Sequence, residues 1–210
     1  MTPQREARFR KVIKARQPNL TVILENVHDP HNISAVLRTC DSVGITEVYV
    51  LYTSVKKENL ELGKRSSSGA RKWVDVHLYN DVHKCMQAVK ANYNKIYATH
   101  LSEDAVDLYS LDLTESVALL FGNEHAGVSK ESLEYCDGNF LIPQVGMVKS
   151  LNISVACAVT MYEALRQRQQ KGMYDDNALL SESEQEAMWE DYQNRHERWV
   201  DEVDKYIEAK

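Results

Sequence analysis

The sequence predicts an α/β protein built on a mostly parallel sheet with helices on both faces. Two patterns point to it. Short apolar runs, TVILENV at 21–27, EVYVLY at 47–52, KIYATH at 95–100 and VALLFG at 117–122, are nearly continuous, as strands buried on both faces require. Segments of helical period alternate with these runs at the spacing of βαβ units. A chain of 210 residues, 43% apolar, can bury the core of one such domain and still carry a modest extension.

The elements follow in order. Residues 3–16 read as a basic helix, with Phe9, Val12 and Ile13 at helical spacing and Pro18 ending it. After the strand at 21–27, a helix is expected over 32–43, capped by Asn32 or Ser34 and stopped by Gly44. Its apolar face is Ile33, Val36, Leu37 and Cys40. The strand at 47–52 is followed by a polar segment, 55–71, centred on Ser66, Ser67, Ser68 and Gly69, which reads as a loop or short helix. A strand at 73–79, a helix at 81–91 and the strand at 95–100 come next. The segment LSEDAVDLYSLD reads as a loop. Then follow the strand at 117–122, a short helix at 129–136, a strand at 139–143 and a long helix from 150 to about 170, broken at Gly172.

The region beyond 173 differs in kind. Ser181 with Glu184, or Ser183 with Glu186, forms a capping-box start. Trp189, Tyr192, His196, Trp199, Val203 and Tyr206 then recur at spacings of three and four, one aromatic-rich seam on an acidic helix. The seam is expected to dock on the body or on a second subunit. Stacking on nucleic-acid bases is opposed by the acidic flanks.

Charge is unevenly spread. The net is −6, yet residues 1–20 hold six bases against one acid, and residues 174–210 hold twelve acids against four bases. Lys64, Arg65, Arg71 and Lys72 form a second basic knot. Phosphate binding needs local positive potential, not a positive total, so the basic arm reads either as an RNA-backbone contact or as a solvated helix face. No run of about 18 apolar residues suggests a membrane span, and the basic start lacks the apolar centre of a secretory signal. Four cysteines without a C-x-x-C pair suggest neither zinc nor a disulfide framework and fit a reducing cytoplasm.

Three polar clusters sit at strand-to-helix turns, where strand ends of a parallel sheet share one edge. The first is ENVHDPHN at 25–32, with Arg38 following. The second is FGNEHAG at 121–127. The third is the entry to the long helix, where Lys149, Ser150, Leu151, Asn152 and Ser154 follow Gly146. Val155, Val159, Tyr162 and Leu165 are expected to hold that helix on the core. Each cluster has a plainer explanation: Asn32 as a helix cap, Arg38 paired with Asp41, Glu124 as a cap on a short turn. His28 and His31 match no common metal-ligand spacing. Neither G-x-G-x-x-G nor a P-loop occurs, and no Ser–His–Asp or Cys–His set can be placed.

Together the clusters resemble the SPOUT superfamily of knotted RNA methyltransferases. Within it they resemble the SpoU/TrmH family of tRNA guanosine ribose 2′-O-methyltransferases. NVHDPHNISAVLRTCDSVG matches the family's first motif, LLFGNEHAGVS its second and IPQVGMVKSLNISVACAVTMYE its third; the likeness covers about residues 20–168. It implies a Rossmann-like parallel sheet with a C-terminal deep trefoil knot, flanked by helical extensions at 1–19 and 173–210 around a methyltransferase domain at 20–172. It implies S-adenosylmethionine as cofactor and a homodimer formed through the knot region. The implied activity is 2′-O-methylation of a tRNA ribose, with guanosine 18 of the D-loop foremost. Another tRNA nucleotide, ribosomal RNA, or a non-catalytic RNA-binding role stand as alternatives. By position, Arg38, Asn32, Glu124, Ser150 and Asn152 inherit the catalytic places; Thr99, Gly122, Ile142 and Leu151 inherit the cofactor contacts. His125 inherits none. Arg5, Arg8, Arg10, Lys11, Lys64, Arg65 and Arg71 are expected to meet RNA backbone.

Overall fold

The structure, a computed structural model, describes residues 1–53, 69–148 and 150–208, with backbone only from residue 199 onward. Lys64, Arg65, Lys149 and most of the polar segment after the second strand lie outside the described residues. The elements are α1 (Pro3–Lys14), β1 (Leu20–Glu25), α2 (Pro30–Ser42), β2 (Glu47–Leu51), β3 (Asp75–Tyr79), α3 (Val82–Asn92) and β4 (Lys95–Thr99), then β5 (Val106–Asp107), β6 (Val117–Phe121), α4 (Lys130–Leu133), β7 (Gly138–Leu141), α5 (Ile153–Gln170) and α6 (Glu182–Glu208). Short 3-10 turns at Ala70–Lys72 and Leu108–Ser110 join them.

The seven strands form one parallel sheet in the order β3-β2-β1-β6-β4-β7-β5. β1 and β6 lie at the centre and every residue of both is buried. Successive side chains of a strand point to opposite faces, and the core divides accordingly. Val22, Leu24, Leu119 and Phe121 face one layer, with Ile33, Val36 and Leu37 of α2 and Cys157 and Met161 of α5. Ile23, Ala118 and Leu120 face the other, with Val82, Met86 and Val89 of α3. β7 enters the sheet between β4 and β5, a slot that earlier parts of the chain have already bounded.

Several local expectations need correction. α2 starts two residues early. Asp29 is its cap, accepting from the His31 amide at 2.8 Å, and Pro30 takes the first helical position, where a missing N–H does no harm. Asn32 is therefore not a cap; its side chain is released for other work. The loop after β4 contains a two-residue strand, β5, too short to show a period. On α5 the apolar face sits differently. Ile153, Cys157, Met161 and Ala164 are buried, whereas Val155 and Tyr162 are exposed and Val159 and Leu165 half-buried. The helix is apolar on more than one face, and only one can meet the sheet.

The acidic tail helix docks on the basic first helix. Ser181 and Glu184 form the capping box, with the serine hydroxyl donating to the carboxylate at 2.6 Å. Trp189 and Tyr192 of α6 pack edge-on against Phe9 of α1, with Trp73 beside them. Such aromatic pairs add about 0.5–1.5 kcal/mol each beyond the area buried. Arg16, counted with the basic arm, is buried. It donates to Tyr192 Oη at 2.7 Å, to Asp41 Oδ1 at 2.8 Å and to the Ile45 carbonyl at 3.2 Å. Asp41 is thus taken by Arg16, not by Arg38.

A second buried cation closes the domain. Arg168, near the end of α5, has no exposed surface. It donates to five neutral oxygens: the Leu113, Asn19 and Glu115 carbonyls and the side-chain oxygens of Gln17 and Asn19. Burial pulls its pKa down to about 10, so it stays charged at neutral pH. Arg168→Met keeps the apolar stem but leaves those acceptors unmatched. It is expected to lower stability by ~3 kcal/mol or more, read as a shift of the urea midpoint at unchanged slope.

Candidate active site

The sheet order places the ends of β1, β6, β4 and β7 side by side, and the polar turns gather there. Asn32, from the first turn of α2, donates through Nδ2 to Glu124 Oε1 at 2.8 Å. Asn152, the cap of α5, donates to the same oxygen at 3.0 Å and to Asn32 Oδ1 at 3.1 Å. Its own Oδ1 accepts from the Ser154 amide at 2.9 Å and hydroxyl at 2.6 Å. Three residues up to 120 positions apart thus form one closed ring of hydrogen bonds. Asn32 is buried and Glu124 and Asn152 are exposed, so the ring has a solid floor and an open top. Glu124 Oε2 has no hydrogen bond among the described residues.

Glu124 stands at the tip of a tight turn. Asn123 and Gly127 exchange backbone hydrogen bonds at 3.0 and 2.8 Å, and Gly127 has φ +69°. Gly122 passes so close beneath the turn that a Cβ there would overlap the Gly127 carbonyl and the Val128 amide. The buried Glu25 carboxylate ties the following residues to β1, accepting from the Ser129 amide at 3.0 Å and the Ser132 hydroxyl at 2.9 Å.

Beside the ring lies a cavity of about 560 Å³. Its walls include Thr99, Gly122, Ile142 and Leu151, the four expected cofactor contacts, together with Glu124 and Ser150. Phe140, Ile153 and Leu101 add apolar surface that sequence reasoning did not single out. Phe140 was hidden within an apolar strand, where nothing separates a wall residue from a core one. The Thr99 hydroxyl donates to the Leu120 carbonyl at 3.2 Å, holding the ends of β4 and β6 together. An apolar slot floored by backbone groups suits a nucleoside, and a carboxylate at its rim suits a ligand carrying positive charge.

Arg38 is not part of the ring. It is exposed on α2, six residues beyond Asn32, about 9 Å along the axis and a third of a turn around it. No side chain pairs with it among the described residues. The proposed RNA contacts also sort unequally. Arg8, Lys11 and Arg71 are exposed; Arg5 lies over the Phe9 ring at 5.6 Å. Arg10 is engaged elsewhere, paired with Glu186 of α6 at 3.3 Å and stacked over Trp189 at 4.4 Å. Among the described residues no group of three or more His, Cys, Asp or Glu could hold a metal ion, and no helix is long and apolar enough to cross a membrane.

A nucleoside-sized cavity over the carboxyl ends of a parallel sheet, rimmed by an amide-braced carboxylate, defines an α/β enzyme of nucleotide or nucleic-acid chemistry. The chain belongs to the SpoU rRNA Methylase family, which it matches over residues 19–162. It is 44% identical over 187 residues to the tRNA (guanosine(18)-2′-O)-methyltransferase of Thermus thermophilus, covering 89% of this chain and 95% of that protein. The crystal structure of the A. aeolicus TrmH/SpoU tRNA modifying enzyme matches with TM-score 0.80 at 36% identity, covering 93% of this chain and 96% of that one. The SpoU methyltransferase AviRb from Streptomyces viridochromogenes, in complex with the cofactor AdoMet, matches with TM-score 0.64 at 28% identity, covering 73% of this chain and 59% of that one.

The cavity depends on the close passage beneath Glu124. Gly122→Ala is expected to open the turn and weaken S-adenosylmethionine binding at least ~10-fold, measured by calorimetry, while the far-ultraviolet circular dichroism of the sheet persists.

Proposed function

We propose that the chain is an S-adenosylmethionine-dependent tRNA ribose 2′-O-methyltransferase whose target is guanosine 18. The observation that carries this reading is the convergence of Asn32, Glu124 and Asn152 beside the cavity, in a chain closely related to an enzyme named for that reaction. Thr99, Gly122, Ile142 and Leu151, which line the cavity, would hold S-adenosylmethionine, and that cofactor would supply an activated methyl group. The protein's own task is alignment: it presents the ribose hydroxyl to the methyl group, whose bond to the sulfonium sulfur would break as its bond to O2′ forms, while the hydroxyl proton would pass along its hydrogen bond to Glu124.

The ring of amides fixes Glu124 at the cavity wall through Oε1, which leaves Oε2 to accept the hydrogen bond of the ribose hydroxyl. Ser150, on the cavity wall, bounds the same space. A guanidinium offers donors and no acceptor, so the base role is not assigned to Arg38. It binds the neighbouring phosphate and stabilises charge developing on O2′.

A homodimer gives Arg38 its place. Val155 and Tyr162 of α5 are 46% and 54% exposed, and Val145, Met147 and Val148 of the preceding loop are exposed as well. Apolar surface of this extent, continuous with the cavity rim, fits a second copy. α2, which bears Arg38, packs against α5 and would border that contact. The entry of β7 between β4 and β5 is read as the knot, with α5 as its last pass. The enzyme works in the cytoplasm, where tRNA matures. Arg5, Arg8, Lys11 and Arg71 supply the backbone contacts, with Lys64 and Arg65 beyond the described residues.

The test is transfer of labelled methyl to unmodified tRNA and to ribosomal RNA fragments, with mapping of the product. Label at guanosine 18 of tRNA is expected, with none when that ribose lacks its 2′-hydroxyl. Label only in ribosomal RNA, or binding without transfer, would replace this reading. Arg38→Ala should lower kcat by ~100-fold or more with cofactor affinity little changed. Separately, Tyr162→Glu places a charge in the apolar face. It is expected to yield monomers on sedimentation and to reduce activity with them.

A further inference from the structure

Asn26 is the one non-glycine residue with positive φ among the described residues, at +53°. Asparagine tolerates this left-handed conformation better than most residues, but nothing in a strand end requires it. What it achieves is a junction of three loops. The Asn26 amide donates to the Leu51 carbonyl at 2.8 Å, at the end of β2. Its side chain clasps Thr53 in both directions, accepting from the Thr53 amide at 3.0 Å and donating to its hydroxyl at 2.9 Å. Its carbonyl, turned by the positive φ, accepts from Asn123 Nδ2 at 2.8 Å. Asn123 in turn accepts from the His125 and Ala126 amides at 2.9 and 3.1 Å, so its side chain shapes the turn that carries Glu124.

We propose that Asn26 is the positioning residue for Glu124, acting through Asn123 to set the carboxylate for methyl transfer. The inference rests on the reading of Glu124 given above. The ring with Asn32 and Asn152 holds one oxygen of Glu124 from below, and the link from Asn26 through Asn123 fixes the backbone from which that side chain springs. The first restraint acts on the side chain, from α2 and the cap of α5, and the second on the backbone of the turn, so loss of the second lets the turn tilt while the first remains.

The test compares three variants by kcat, KM for tRNA and cofactor affinity. Asn123→Asp is nearly isosteric and keeps both turn acceptors, but it cannot donate to the Asn26 carbonyl. Asn26→Val cannot hold φ +53° without strain. Asn26→Gly holds it freely and keeps the carbonyl in place. Asn123→Asp and Asn26→Val are expected to lower kcat at least ~10-fold with KM and cofactor affinity within ~3-fold, whereas Asn26→Gly stays within ~3-fold of the parent kcat. The proposal fails if Asn123→Asp keeps the parent kcat, or if Asn26→Gly loses as much as Asn26→Val. A merely structural role would move the melting temperature in all three and leave kcat of the folded protein unchanged. Should Asn26→Val not fold, Asn123→Asp and Asn26→Gly decide the matter alone. Glu124→Gln separates the two readings: full activity there removes the role of Glu124, while inactivity there with an active Asn123→Asp removes only the role of Asn26.

Discussion

One carboxylate oxygen organises the active face. Glu124 Oε1 accepts amide hydrogens from Asn32, in the first turn of α2, and from Asn152, the cap of α5. Both helices pack on the same side of the sheet. A shared acceptor therefore fixes the relative height of α2 and α5 where they begin, and it fixes the rim of the cavity between them. Hydrogen bonds to a charged acceptor contribute more than neutral ones, about 1.5–3 kcal/mol each. The arrangement is unforgiving: removal of the carboxylate would leave two amides facing each other with no acceptor between them but Asn32 Oδ1.

The same economy of partners governs the buried cations. Arg16, counted with the basic arm, and Arg168 are both buried, and each holds chain segments together. Arg16, just past α1, joins the chain there to the end of α2, to the loop after it and to α6 through Asp41, Ile45 and Tyr192. Arg168 joins the end of α5 to the segment before β1 and to the loop before β6. A guanidinium offers five N–H groups in a fixed plane, and such junctions of carbonyls call for that number of donors. The positive potential left for RNA is accordingly smaller than the residue count suggests. Arg10 shrinks it further, because Glu186 and Trp189 hold it against the tail helix.

What could be read from the sequence divides along physical lines. The parallel sheet was legible because two-sided burial imposes unbroken apolar runs, as in VALLFG. The docking of α6 was legible because a seam of aromatics at spacings of three and four has to be covered by something. The helix start at Asp29 was misread because Asn32 is also a good cap; Pro30, which cannot lie deeper in a helix, was the better guide. The contact face of α5 was misread for a different reason. Val155 and Tyr162 are as apolar as Ile153 and Met161, and periodicity ranks faces by hydrophobicity without saying which neighbour each one meets. The three polar clusters were legible as strand-end turns sharing one edge, but the choice of Asn32, Glu124 and Asn152 within them came from motif resemblance, since no local pattern links residues 92 and 28 positions apart.

The exposed face of α5 follows from this geometry. A helix buried on one side by the sheet and capped into the active-site ring by Asn152 cannot rotate to hide Val155 and Tyr162 without breaking the bond to Glu124. Its outer apolar surface is therefore fixed by the site, not left over from the core. Whatever covers that surface is held in register with the cavity rim, because the same eighteen-residue helix carries both. A second copy seated on Val155 and Tyr162, as proposed above, would press on the helix whose first residue is adjacent to Asn152, so the rigidity of one element would link assembly to the ring. That linkage makes the polar entry of α5 and its second apolar face parts of a single requirement.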